Sequence, residues 1–167
     1  MLFELELDLR DSIYLAPGLV GAVIVGLTYL YSFPFPAAEG GFLLQIAEEI
    51  GRNGYLLPKR IPYYSKDGVP YGYPPLAFYV MSILGKILPL TYIKLTRYLP
   101  VIYSILYIVP VYLVALAFTD GNRPASGLVA VIISVNPIIY FWHLSSGGWV
   151  RSLAFIFTTL GLWVGHT

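Results

Sequence analysis

The sequence contains no cysteine, few charged residues and no excess of either charge sign. Without cysteine there is no disulfide framework, thiolate metal site or cysteine nucleophile. Ten Lys and Arg residues face nine Asp and Glu residues, a net charge of +1, which excludes the broad basic surface of a nucleic-acid-binding protein. The two histidines, His143 and His166, lie too far apart in the sequence to predict a metal-ligand pair.

Apolar residues dominate the chain. Hydrophobic residues make up 57% of the sequence and charged residues 11%, whereas soluble domains carry roughly 25% charged residues. Mean hydropathy is +0.73, so the sequence predicts an integral membrane protein. The acidic start lacks the basic region and small-residue cleavage site of a secretory signal. We therefore expect an uncleaved first membrane helix.

The hydropathy pattern predicts an all-α, polytopic module with about four or five membrane helices. The predicted order is a cytoplasmic tail at 1–12, a span at 13–33, an extracytoplasmic loop at 34–73, a span or re-entrant segment at 74–90, and spans at 97–119, 124–144 and 149–166. Within the loop, Phe42, Ile46 and Ile50 recur at helical spacing opposite Glu48 and Glu49. This pattern predicts an amphipathic helix over about 39–53 that lies in the membrane interface.

Two topologies remain open for segment 74–90. If it crosses the membrane, Lys86 and Arg97 face the cytoplasm, as the positive-inside rule prefers. If it is re-entrant or interfacial, Arg97, His143 and Arg151 lie on the same face as the loop. We favour the second arrangement. Three small residues of the first span, Gly18, Gly21 and Gly26, predict close contact with a neighbouring helix.

Four stretches occur in an order that resembles a known family. They are Glu-Gly-Gly-Phe-Leu-Leu-Gln-Ile-Ala at 39–47, Gly-Tyr-Leu-Leu-Pro at 54–58, Val-Pro-Tyr-Gly-Tyr-Pro-Pro-Leu-Ala-Phe-Tyr at 69–79, and Gly-Gly-Trp-Val-Arg-Ser-Leu-Ala-Phe at 147–155. The series resembles the amino-terminal module of the GT-C membrane glycosyltransferases, in the branch of the protein mannosyltransferases and aminoarabinose transferases. That resemblance implies a polyprenyl-phosphate-linked sugar as donor and a reaction at the outer membrane face.

The resemblance implies a catalytic carboxylate in the first extracytoplasmic loop. The family often has an Asp-Glu pair there, and the matching dipeptide here is Ala38-Glu39. Glu39 is then the predicted base that activates the acceptor. The alternative is that Glu39 only begins the interfacial helix, where a carboxylate favours the positive end of the helix dipole. With the Asp absent, we predict neither a metal site nor a cofactor.

Cations and aromatic residues supply the remaining candidate contacts. The predicted donor-phosphate ligands are Arg97, Arg151, Lys59 and Arg60, and the predicted substrate-pocket residues are Tyr63, Tyr64, Tyr73 and His143. Arginine suits bidentate phosphate capture and lysine acts as a point charge. The alternatives are interfacial snorkelling or headgroup contacts for the cations, an aromatic belt for the tyrosines and interfacial packing for His143.

The sequence thus predicts a multi-pass protein of the plasma or inner membrane that transfers a sugar from a polyprenyl-phosphate donor. The expected partners are membrane lipid and the lipid-linked sugar, with no nucleic acid. The family contains more spans than the sequence holds, so we expect an incomplete module that needs further membrane subunits or self-association. The alternative function is a noncatalytic membrane scaffold or partner subunit that retains the loop but not the reaction.

Overall fold

The computed structural model describes residues 8–35, 40–145 and 147–166. Within these ranges the chain is mostly helical. Its elements are α1 (Leu9–Ser32), α2 (Gly40–Arg52), β1 (Arg60–Ile61), β2 (Val69–Pro70), α3 (Leu76–Ile87), α4 (Tyr92–Phe118), α5 (Arg123–Val135), α6 (Pro137–Leu144) and α7 (Gly148–His166). The all-α prediction is confirmed for the described residues, apart from the short antiparallel hairpin β1–β2, which the sequence did not predict.

Three helices, α1, α4 and α7, are long and apolar enough to cross a membrane, and α5 and α6 together form a fourth candidate if the bent pair is one span. The pair bends by 58° because Pro137 disfavours helical geometry at Asn136. The Asn136 side chain then caps α6 by accepting the backbone N–H of Ile138 at 3.0 Å. Helix α3 has 12 residues, about 18 Å at 1.5 Å per residue, well short of the ~30 Å hydrocarbon core.

Contacts between distant residues fix the helix directions. Arg97, near the start of α4, donates to the carbonyl of Phe33 just beyond α1, and Tyr112, near the end of α4, bonds to Asp11 in the first turn of α1. Helices α1 and α4 are therefore antiparallel. The rings of Phe118 and His166 stack at 4.4 Å, so α4 and α7 end together. We call the end where α1 finishes and α4 and α7 begin the loop end.

Small residues bring α1 against its neighbours. A Cβ added at Gly18 would lie 2.9 Å from the Cβ of Ala130 in α5, and one added at Gly127 would lie 2.8 Å from the carbonyl oxygen of Tyr14. A Cβ added at Gly21 would likewise lie close to Ser134, and one added at Gly26 would lie close to Val101. The predicted close-packing role of the α1 glycines is confirmed. Small residues at these positions allow the helix backbones to approach closely and make van der Waals contact.

Gly18→Val is expected to separate α1 from α5 and to lower stability by about 1–3 kcal/mol, because the added atoms overlap the Ala130 backbone. The matched control is Gly161→Val in α7, where an added Cβ meets nothing within 4 Å. Thermal unfolding of both variants in the same detergent measures the effect. A Gly18→Val melting temperature equal to that of Gly161→Val would contradict the packing account.

A buried polar cluster joins three helices at the end opposite the loop end. Asp11 is 3% exposed and accepts from Tyr112 Oη at 2.8 Å and from Arg123 Nε at 2.8 Å. A buried carboxylate is stable only when paired in this way. We predicted that Asp11 belongs to a cytoplasmic tail, whereas α1 already begins at Leu9. The cluster fixes the starts of α1 and α5 against the end of α4.

Candidate functional site

Arg97 caps the carboxyl-terminal end of α1. Its Nε donates to the Phe33 carbonyl at 3.0 Å, and its Nη2 donates to the Leu30 carbonyl. A helix leaves its last carbonyls without intrahelical partners and carries partial negative charge there. At the loop end, the guanidinium donates hydrogen bonds to two of these carbonyls and places a positive charge beside them. This predicted phosphate ligand therefore has two of its nitrogens engaged in a structural cap.

Arg151, in the first turn of α7, bonds to the end of α6. Its Nε donates to the Trp142 carbonyl at 3.1 Å, its Nη2 donates to Ser145 Oγ at 2.9 Å, and its guanidinium carbon lies 5.3 Å from the centre of the Trp142 ring. Arginine suits both contacts because its planar fork also stacks on aromatic faces. The side chain is half-buried at the loop end.

An apolar cleft of about 480 Å³ lies between α1 and α6. Its lining residues are Val25, Thr28, Tyr29, Ser32, Phe33, Pro137, Tyr140, Phe141, Leu144 and Ser145. Phe33 and Ser145 are the lining residues that receive hydrogen bonds from Arg97 and Arg151. Each of the two predicted phosphate ligands thus bonds to a residue that lines the cleft, whereas the arginines themselves are not lining residues. The sequence did not predict this cleft, because its apolar walls have the same composition as lipid-facing helix surfaces.

Helix α2 packs its apolar stripe against the protein. Ile46 and Ile50 are fully buried, in a core that also contains Phe78 of α3, Leu95 of α4 and Trp149 of α7. The opposite face carries the partly exposed Glu48 and Glu49, both paired with Arg52. The predicted amphipathic helix is present from Gly40, whereas its place in a membrane interface stays a prediction.

An aromatic row connects the loop to this core. The Phe42 ring of α2 meets Tyr64 edge-on at 4.9 Å and Tyr73 at 6.1 Å. Tyr73 in turn packs on Phe78 at 6.0 Å, and Phe78 packs on Trp149 at 5.3 Å. Tyr64 and Tyr73 each keep about half of their surface exposed. Two predicted substrate-pocket residues therefore share one aromatic cluster on α2.

The other predicted ligands lie elsewhere. Arg60, in β1, donates through Nη1 to the carbonyls of Asp67 at 3.0 Å and Gly68 at 3.1 Å. Lys59 is exposed on the same hairpin, where its carbonyl accepts the Tyr71 N–H. Neither residue lines the cleft between α1 and α6. Arg60 therefore bonds within the hairpin, whereas Arg97 and Arg151 bond to residues that line the cleft.

His143 is buried between aromatic rings. It is 3% exposed, its ring lies 5.0 Å from that of Tyr107 and stacks on Phe155 at 5.4 Å. It is not among the residues that line the cleft. This environment matches the packing alternative for His143.

Glu39, the predicted base, lies outside the described residues; it directly precedes Gly40, where α2 begins. Among the residues that the structure describes, no group of three or more His, Asp and Glu side chains is placed to hold a metal ion. Comparison of the chain with protein-family models, curated proteins and solved structures gave no match in any of the three.

Proposed function

We propose that the chain is the front module of a membrane glycosyltransferase that takes a sugar from a polyprenyl-phosphate donor at the extracytoplasmic face. One observation carries the proposal. Arg97 and Arg151 bond to Phe33 and Ser145, two of the residues that line the apolar cleft between α1 and α6. An apolar cavity whose lining residues are bonded to two arginines suits a lipid tail joined to a phosphate.

The cleft matches the donor in size and chemistry. A volume of about 480 Å³ falls in the usual range of ligand sites, ~300–1,000 Å³, and accommodates the first isoprenoid units of a long chain. Nη1 of Arg97 makes no hydrogen bond to a described residue, so its N–H groups can meet a phosphate oxygen. Because two carbonyls already hold the guanidinium, little side-chain entropy is lost on binding.

The reaction follows from these roles. An acceptor hydroxyl or amine attacks the anomeric carbon, the bond from that carbon to the phosphate oxygen breaks, and polyprenyl phosphate leaves with the electron pair. Glu39 takes the acceptor proton. The arginines stabilise the charge that develops on the leaving phosphate. The aromatic row at Phe42, Tyr64 and Tyr73 offers rings on which the transferred sugar can pack.

A tryptophan that fills the cleft tests the proposal. Val25 lines the cleft, whereas Val23, on the same helix, is exposed and does not. Val25→Trp is expected to weaken binding of a fluorescent polyprenyl phosphate about tenfold, because the ring occupies the space of the isoprenoid chain. Val23→Trp is the matched control and is expected to bind as the unsubstituted protein does. Equal affinities of the two variants in nanodiscs would refute binding in the cleft.

A further inference from the structure

A second, polar recess of about 440 Å³ lies between α2 and the β1–β2 hairpin. Its lining residues are Glu49, Arg60, Pro62, Tyr63, Ser65, Lys66, Asp67 and Gly68. The hairpin is held on α2 by the Gln45 side chain, which donates to the Pro62 carbonyl at 3.1 Å. Its turn is fixed from within by the contacts of Arg60 with the carbonyls of Asp67 and Gly68. The recess therefore has supported walls and does not share its lining with the cleft.

The charges of the recess balance. Two cations, Arg60 and Lys66, face two carboxylates, Glu49 and Asp67. Nη1 of Arg60 is already engaged by carbonyls, and Glu49 is paired with Arg52 at 3.0 Å. An anion would gain from the cations what it loses to the carboxylates. The recess instead offers both donors and acceptors, which suits an uncharged ligand with many hydroxyl groups.

Tyr63 supplies an aromatic surface at this recess. Its side chain is 80% exposed, although its backbone has φ of +77°, a left-handed conformation that is rare for a bulky residue. Strained residues of this kind persist where the surrounding structure enforces them, often at ligand sites. Neither packing nor backbone preference explains a tyrosine here, because glycine or asparagine would fit the conformation with less strain.

We propose that this recess binds a neutral carbohydrate, with the sugar face on the Tyr63 ring and its hydroxyls on Glu49, Arg60 and Asp67. The role of that carbohydrate as the acceptor, or part of the acceptor, rests on the proposed function. Binding itself does not depend on it, because the recess lies apart from the cleft and requires neither Glu39 nor the donor. The proposal also gives Arg60 a different ligand from the donor phosphate that the sequence predicted for it.

Saturation-transfer NMR with the protein in nanodiscs tests the proposal. The probes are the methyl glycosides of glucose, galactose, mannose and arabinose, with glucuronic acid and inorganic phosphate as anionic probes. At least one neutral glycoside is expected to bind saturably. Tyr63→Asn should weaken that binding about tenfold without lowering the melting temperature, since asparagine tolerates the left-handed backbone. Tyr63→Phe should retain it, and Tyr31→Asn, at an exposed tyrosine of α1, should leave it unchanged.

The outcomes separate the two proposals. No saturable neutral glycoside, or a neutral glycoside whose binding survives Tyr63→Asn, overturns the carbohydrate site. Saturable phosphate or glucuronate binding that is lost on Arg60→Gln also overturns it, because the ligand would then be an anion. If the unsubstituted protein transfers sugar, the loss of transfer in a Glu39→Gln protein that still binds glycoside supports both proposals. Glycoside binding together with undiminished transfer by that variant supports the carbohydrate site and excludes Glu39 as the base.

Discussion

Glu39→Gln is expected to lower sugar transfer from a polyprenyl-phosphate donor by at least about 100-fold, the usual effect of losing a general base. The amide keeps the size of the side chain and one acceptor oxygen but cannot take a proton from the acceptor. Donor binding should be unchanged, because the described residues that form the cleft are untouched. The measurement is transfer of radiolabelled sugar in proteoliposomes, alongside donor affinity.

Glu48→Gln provides the matched control. Glu48 is also on the segment that follows α1, on the exposed face of α2, where its carboxylate pairs with Arg52 at 3.4 Å. Such an exposed pair contributes little, about 0–1 kcal/mol, so transfer should stay at the level of the unsubstituted protein. If Glu39→Gln transfers sugar as fast as Glu48→Gln, Glu39 is not the base. A chain that binds donor and transfers nothing in either form is the noncatalytic scaffold.

Arg97→Gln is expected to weaken donor binding about 10- to 100-fold. Charge-assisted hydrogen bonds contribute about 1.5–3 kcal/mol each, and each 1.4 kcal/mol is a factor of ten in affinity. The substitution also removes the donors to the Leu30 and Phe33 carbonyls, which releases the end of α1 beside the cleft. Arg97→Lys should recover only part of the affinity, because one ammonium cannot cap α1 and meet the phosphate together.

Lys94→Gln separates this effect from general surface charge. Lys94 lies on the first turn of α4, close to Arg97 in the chain, and is exposed. We expect its loss to change donor affinity less than twofold in vesicles without anionic lipid, since exposed charges contribute little. The assay is donor binding at fixed ionic strength. Equal losses in Lys94→Gln and Arg97→Gln would indicate non-specific attraction and would contradict a site at the cleft.

Helical periodicity accounts for what the sequence predicted of the fold. The stripe of Phe42, Ile46 and Ile50 is strong enough to predict α2, and its helical form is confirmed at Gly40–Arg52. The glycines of α1 predicted close helix contact because small residues let a neighbouring helix approach. Local patterns of this kind need no knowledge of distant residues.

Distant pairings could not be predicted. Asp11 bonds to Tyr112 and Arg123, which are 101 and 112 residues away, and no local signal links the three. The use of Arg97 as a cap for α1 depends on Phe33, 64 residues away. The cleft depends on the 58° bend between α5 and α6. The Asn136-Pro137 pair indicates where the bend lies but not its direction. These features arise only when the helices pack.

The most direct test of the account is to map where the donor lies. A polyprenyl phosphate with a diazirine in its first isoprenoid units is activated in nanodiscs, and the adducts are located by mass spectrometry. We predict adducts concentrated on the cleft residues of α1 and α6, within 25–33 and 137–145, and fewer for the matching polyprenol without phosphate. Adducts spread evenly over the exposed residues of α1, α5 and α7, or equal patterns for the two probes, would contradict a phosphate-directed lipid site.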